Sequence, residues 1–329
     1  SDIIKNDYVD LSVSECIEKI KQEINCISDN QFKNIDFNLE NEFELAISEL
    51  ENNRYKSEYE MPTGFYDLDD ITGGIHRREI VTVGARPGYG KSSFLLSLAY
   101  NLAQKGKKVL FFALEMSRRE MILRLLSAQA KVLHSHLRLP KFLTKADWIN
   151  IVNANGKLRK LPLVILDDNY MVSEMPMQIE KYKPDIIFVD FLQHLKFNAD
   201  EIKNFALSLS LATKDLKVLA KRYNVAVVCA AQLNREVEKR VSKSPQSSDF
   251  KGSGGIEENS DLILLLEWEY RNHKELNPHT KEKWTDFEKK KITIKIDKNR
   301  HGELGKIDLL FDTEYTMFRN LEKNAIDVS

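Results

Sequence analysis

The chain has 329 residues, a length that at roughly 150 residues per domain allows two domains or one large domain with attachments. Hydrophobic residues make up 42% and charged residues 30%, which excludes a collagenous, mucin-like or wholly disordered chain. Lys plus Arg number 49 against 50 Asp plus Glu, a net charge of −1, so a generally basic nucleic-acid binder is excluded and any grip on phosphates must come from a local patch.

The elements follow in chain order. Residues 1–60 are rich in Asn, Asp and Glu and hold no Gly or Pro. Leu39, Phe43, Ile47 and Leu50 recur every three or four positions, which predicts one amphipathic helix with Asn38 as its N-cap. Residues 52–62 (NNRYKSEYEMP) read as a linker. From Pro62 onward, short apolar runs alternate with helical patterns: 79–85, 108–115, 161–168, 185–190, 224–232 and 261–269. They are β-branched and apolar on both faces, as strands of a parallel sheet covered by helices should be. The stretch SSFLLSLAYNLAQKG predicts a helix closed by a glycine. The last two runs, 291–297 and 305–312, alternate more clearly and predict an antiparallel extension joined through NRHGEL. Cys16, Cys26 and Cys229 form no C-x-x-C pair, so a disulfide framework and a zinc ribbon are both disfavoured, and Cys229 in its apolar run reads as a buried inert thiol. No run reaches the ~18 apolar residues a membrane span needs. With no signal peptide, the expectation is a cytosolic protein; opening on Ser1 rather than Met, it reads as a piece of a longer polypeptide.

Residues 85–92 read A-R-P-G-Y-G-K-S, after an apolar strand and before a helix. This is the phosphate-loop pattern G-x-x-x-x-G-K-[ST] with Ala85 in the first place. Small residues let backbone N–H groups converge on phosphate oxygens at a helix N-terminus that already favours an anion. The nucleotide cradle therefore runs over Ala85, Arg86, Pro87, Gly88, Tyr89, Gly90, Lys91, Ser92 and Ser93. Lys91 would reach the terminal phosphates of a nucleotide and the Ser92 hydroxyl would hold Mg²⁺. Three other strand runs end in polar residues: Glu115, Asp190 and Gln232. Ligands of open parallel sheets bind outside the carboxyl ends of the strands, so these residues belong on the same rim as the loop. Asp190 suits the carboxylate that orders the Mg²⁺ shell, Glu115 a base for the attacking water, and Gln232 a sensor of the γ-phosphate. The residue after Asp190 is Phe191, which cannot serve as a catalytic carboxylate.

These residues resemble the RecA-like motor domain of DnaB-type replicative DNA helicases. The resemblance is colinear from about Met61 to Asn320: MPTGFYDLDDITGG, GARPGYGKSS, FFALEMSRREMILRLLS, IIFVDFLQHL, AVVCAAQLNREVEKR, SDFKGSGGIEENSDLILLL and IKIDKNRHGELGKIDLLF. It implies a RecA-like P-loop NTPase: a mostly parallel sheet flanked by helices, with an antiparallel C-terminal extension. Residues 1–60 would be a helical linker segment left from a missing N-terminal domain, and 61–329 the motor. It also implies a homohexameric ring around single-stranded DNA, moving 5′ to 3′ on ATP hydrolysis, with a primase and a helicase loader as partners. The family's trans-acting cations fall on Lys298 and Arg300, and its central-channel DNA contacts on Lys251, Ser253, Gly254 and Gly255. Where family members often carry Arg-Glu-Ser-Gly, this chain has Lys251-Gly252-Ser253-Gly254, so a cation is kept and the acid lost. The stretch NREVEKRVSKSPQSS reads as a mobile solvated loop. Two alternatives share the phosphate loop: a RecA-like filament-forming ATPase and a slowly hydrolysing nucleotide-switched scaffold.

Overall fold

The computed structural model describes residues 39–54, 60–196, 205–234, 240, 244–250 and 253–321. The chain divides into two units, 1–57 and 58–329. In the first, helix α1 spans Leu39–Arg54 and leaves Leu39, Phe43 and Ile47 exposed along one stripe. It continues to Arg54, into the stretch expected to be a linker, because Glu51–Asn52–Asn53–Arg54 carries no proline or glycine to stop it. Asn38, Cys16 and Cys26 lie outside the described residues.

Among the described residues, the second unit is built on a nine-stranded sheet in the order β3-β2-β4-β5-β1-β6-β7-β8-β9. The parallel part comprises β1 (Ile80–Ala85), β2 (Val109–Ala113), β3 (Leu163–Leu166), β4 (Ile186–Asp190), β5 (Ala226–Gln232) and β6 (Leu262–Glu267). The antiparallel part comprises β7 (Lys291–Asn299), β8 (Gly305–Asp312) and β9 (Met317–Asn320). Its two margins, β3 and β9, have four residues each. Four helices of this unit position the site: α2 (Lys91–Gln104), α3 (Arg118–Ala130), α4 (Phe205–Tyr223) and α5 (Ser253–Asn259).

The apolar runs are explained by the period of two along a strand. On β2, Val109, Phe111 and Ala113 enter one core with Phe94, Leu95, Leu98 and Leu102 of α2, while Leu110 and Phe112 enter the other with Leu209, Leu216 and Leu219 of α4. Strands β4 and β5 divide their residues the same way, Phe188 and Val228 to the first core, Ile187 and Val227 to the second. Each such Leu or Phe contributes ~1.5–3 kcal/mol by leaving water. Cys229 falls in the second core with no exposure, and burial pushes its thiol up to about 12, so it is inert as expected. Strand β9, which the sequence reading omitted, folds back on β8 and stacks Phe318 on Phe311 (4.6 Å between ring centres). Phe318 also meets Phe94 edge-on at 5.3 Å, and its N–H donates to Ser97 Oγ at 3.0 Å, so the extension is fastened to α2. Among the described residues no helix is long and apolar enough to cross a membrane.

Candidate functional site

Strand register brings the site together. Ala85 at the end of β1 is level with Gln232 at the end of β5, and Ala113 of β2 with Asp190 of β4. Glu115 follows two residues past the end of β2. The carboxyl ends of four adjacent strands therefore surround a cleft of about 550 Å³. Arg86, Pro87, Gly88, Gly90, Lys91, Ser92, Ser93, Glu115 and Gln232 line it. Of the expected cradle, Ala85 is buried in the strand, and Tyr89 is turned inward. The Tyr89 hydroxyl donates to Asn272 Oδ1 at 2.7 Å and accepts from Arg86 NH1 at 3.0 Å, which braces the loop from behind.

The loop's shape depends on glycine. Gly88 and Gly90 have φ of +77° and +84°, in the left-handed region that only glycine enters without strain. At Gly90 a Cβ would also press on Phe311 and Phe318 at 3.2 Å. Gly90 is the N-cap of α2 and offers no side chain, so the first N–H groups of this 14-residue helix are left for an anion.

Lys91 stands at the first turn of α2 with its ammonium 3.8 Å from the centre of the Phe191 ring. Burial drives its pKa below the ordinary lysine value, while the carboxylates of Asp190 and Glu115 pull the other way. Asp190 is 2% exposed. Burial raises its pKa, against the opposing pull of Lys91 and a hydrogen bond from Ser92. Its Oδ1 is buried without a hydrogen-bond partner. A desolvated carboxylate oxygen beside a serine hydroxyl fits a divalent cation, whose other ligands would come from phosphate and water. Among the described residues no group of three or more His, Cys, Asp or Glu side chains could hold a metal ion.

Asp190 also yields a sign-definite stability prediction. Because its folded pKa is raised, ionisation opposes folding at pH values above the unfolded value of about 3.9, and the cost grows as pH rises through the folded pKa. Asp190→Asn is therefore expected to raise the melting temperature of the nucleotide-free protein at pH 7, by about 2 °C per kcal/mol relieved. The gain should shrink as pH falls towards 4. Thermal unfolding followed by circular dichroism at both pH values checks this; a lower melting point at pH 7 would contradict it.

Of the cleft-wall side chains that were not anticipated, two touch the phosphate loop directly. Phe191, dismissed above only as a carboxylate, supplies the ring under the Lys91 ammonium. Arg124 of α3 lines the cleft, donates to Ser93 Oγ at 3.1 Å and lies 3.8 Å from Glu120. Burial lowers its pKa, with Glu120, Asp190 and Glu115 opposing. The one available signal was its place nine residues after Glu115 in a helix, four after Glu120, which alone reads as a surface pair.

Lys298 and Arg300 are on the opposite rim. Asn299 of β7 is level with Leu262 of β6, and Leu262 with Val81 near the start of β1. The Arg300 N–H donates to Asp261 O at 2.9 Å, and that of Asp261 to Ile80 O at 2.9 Å. Arg300 is thus about five strand residues, ~17 Å, from the end of β1 at Ala85. Ser253, Gly254 and Gly255 form the first turn of α5, while Lys251 lies outside the described residues. Gly254 is exposed, but Gly255 has a packing reason: a Cβ there would come within 2.7 Å of Ser210 Cα on α4. Much of NREVEKRVSKSPQSS is also outside the described residues. Its last part is pinned, not loose: Ser247 N–H donates to Asp297 Oδ2 at 2.6 Å, Lys295 to Pro245 O at 3.2 Å, and Arg240 pairs with Asp249.

A family model described as the DnaB-like helicase C terminal domain matches residues 60–320. A probable replicative DNA helicase of Trieres chinensis is 32% identical over 328 residues, covering 96% of this chain and 70% of the relative. The replicative DNA helicase DnaB of Geobacillus stearothermophilus is 33% identical over 326 residues, covering 97% and 69%. A solved ATPase domain superposes with a TM-score of 0.78 at 28% identity, over 87% of this chain and all (100%) of that one. A DnaB-like replicative helicase, solved in a study of its interactions with primase, gives 0.75 at 27% identity, over 94% and 75%.

Proposed function

The chain belongs to the family of DnaB-like helicase C-terminal domains, and from that premise we propose how its cleft and rims work. It is a RecA-like motor of the DnaB type, an ATP-dependent replicative DNA helicase. In our reading, residues 61–329 are the motor and 1–60 a linker segment, and copies close into a homohexameric ring that draws single-stranded DNA through its centre 5′ to 3′ in the cytoplasm. Partnership with a primase is supported by the study reported for the DnaB-like relative, and a helicase loader is expected from the family resemblance alone.

One observation carries the mechanism: Lys91, Ser92, Glu115 and Gln232 share a cleft beneath which Asp190 keeps a buried, unpartnered oxygen. ATP would enter with its phosphates on the N–H groups of residues 88–93. Lys91, partly desolvated, would leave the Phe191 ring for the phosphate oxygens. Ser92 and Asp190 would hold Mg²⁺, which when bound neutralises the charge on the transferring phosphoryl group. Glu115 would take a proton from the attacking water, and Gln232 would report the γ-phosphate. Lys298 and Arg300 cannot reach this cleft in their own chain, so they would serve the site of the adjoining subunit. The first turn of α5 and Lys251 would meet DNA phosphates, with little base preference. The filament and scaffold alternatives are not favoured, since the relatives are replicative helicases.

Phosphate release from ATP should rise on adding a single-stranded oligonucleotide and vanish in Lys91→Ala. Oligonucleotide affinity should fall with salt by a slope of ~0.7 per phosphate contact. A rate indifferent to the oligonucleotide, with no binding at low salt, would reject the reading.

A further inference from the structure

The rim opposite the cleft holds a buried carboxylate to which none of the motifs gives a role. Asp261, between α5 and β6, is 3% exposed. Its Oδ2 accepts the Ile80 N–H at 2.8 Å and pairs with Lys217 of α4, tying β1 to that helix. Its Oδ1 does something else: it accepts from Arg300 NH1 at 3.2 Å. Arg300 NH2 donates to Glu258 O at 2.8 Å, and Lys298 Nζ to Glu257 O at 2.6 Å. Both carbonyls belong to the last turn of α5.

We propose that Asp261 is a positioning residue for the hydrolysis: with the Glu258 carbonyl it fixes the direction in which Arg300 presents its guanidinium to the adjoining subunit. This rests on the trans role given to Arg300 above. A guanidinium has five donors in a rigid fork, and the two bonds to Asp261 and Glu258 leave three for a partner's phosphate. Arg300 is otherwise half-exposed on a hairpin, and a free arginine there would spread over many rotamers. Holding it in place beforehand moves that entropy loss out of the catalytic step. The same bonds make α5 the carrier of both cations. Its first turn is the candidate DNA-facing segment and its last turn is gripped by Lys298 and Arg300, so displacing the helix displaces them together.

Asp261→Asn keeps the side chain's size and an acceptor for Ile80. Its amide then turns a donor towards Arg300, and the fork loses its anchor. The expected result is a 10- to 100-fold fall in kcat for DNA-stimulated hydrolysis with KM for ATP nearly unchanged, since the variant's own cleft is intact. The deciding measurement mixes Asp261→Asn with Lys91→Ala protein, co-assembly being shown by native mass spectrometry. Lys91→Ala subunits carry a sound Arg300 and should restore turnover at Asp261→Asn clefts, which a defect confined to the variant's own fold would not allow. Lys217→Met breaks the other arm of the cluster and should leave DNA-stimulated turnover near the wild-type value. If Asp261→Asn does not assemble, Arg300→Lys, which keeps the charge but cannot span both anchors, should give the same fall and the same restoration. Wild-type kcat in Asp261→Asn overturns the proposal, as does it in Arg300→Lys. So does a loss that mixing fails to restore while Arg300→Ala is restored; if Arg300→Ala is not restored either, the trans reading itself falls.

Discussion

Glu115→Gln is expected to lower ATP turnover by about 10³-fold while leaving nucleotide binding intact, because a positioned general base contributes on the order of 10²–10⁴. The carboxylate stands just past β2, exposed in the cleft and close enough to act on the charge of Lys91. An amide of the same shape accepts no proton from water. It also removes a negative charge from beside the bound phosphates, so affinity should hold or tighten. Titration with a fluorescent nucleotide and steady-state phosphate release, measured on one preparation, separate the two effects. Turnover within tenfold of the wild type would remove Glu115 from the role of base.

Arg300→Ala should cost ~10³- to 10⁵-fold in turnover, the range a trans-acting arginine commands in phosphoryl transfer. Nucleotide binding should be spared, since Arg300 sits on the far rim, level with the start of β1, out of reach of its own phosphate loop. In mixed assemblies with Lys91→Ala, each variant supplies what the other lacks at one class of interface, and turnover should partly return. A mixture proven to co-assemble that stays inactive would end the assignment.

The sequence was most informative where one local rule acts. Six apolar runs became parallel strands because both their faces are covered, which a single chain reveals through apolar residues at nearly every position. The alternation of KITIKID and GKIDLLFD marked the antiparallel extension for the same reason in reverse. Strand β9 escaped because Met317–Asn320 is four residues long and owes its place to Phe318 packing on Phe311 across the turn and on Phe94, a partner distant in sequence. The site divides likewise. Lys91 and Ser92 could be named from the phosphate-loop pattern, and Glu115, Asp190 and Gln232 because strand ends share a rim. Arg124 comes from the side of a helix, and only the fold discloses that this side faces the phosphate loop. Gly255 was read for what it could touch in the channel, yet the fold accounts for it by the proximity of Ser210.

The four-residue margins of the sheet bear on how copies of this chain can work together. A long bare edge invites a neighbour to continue the ladder of main-chain hydrogen bonds, and a seam of that kind holds two copies at one fixed register. Among the described residues there is scarcely a strand's length on which to build one. Neighbours that meet through side chains and turns, as Arg300 at its hairpin would in the proposed ring, could slide and re-engage without unzipping any backbone.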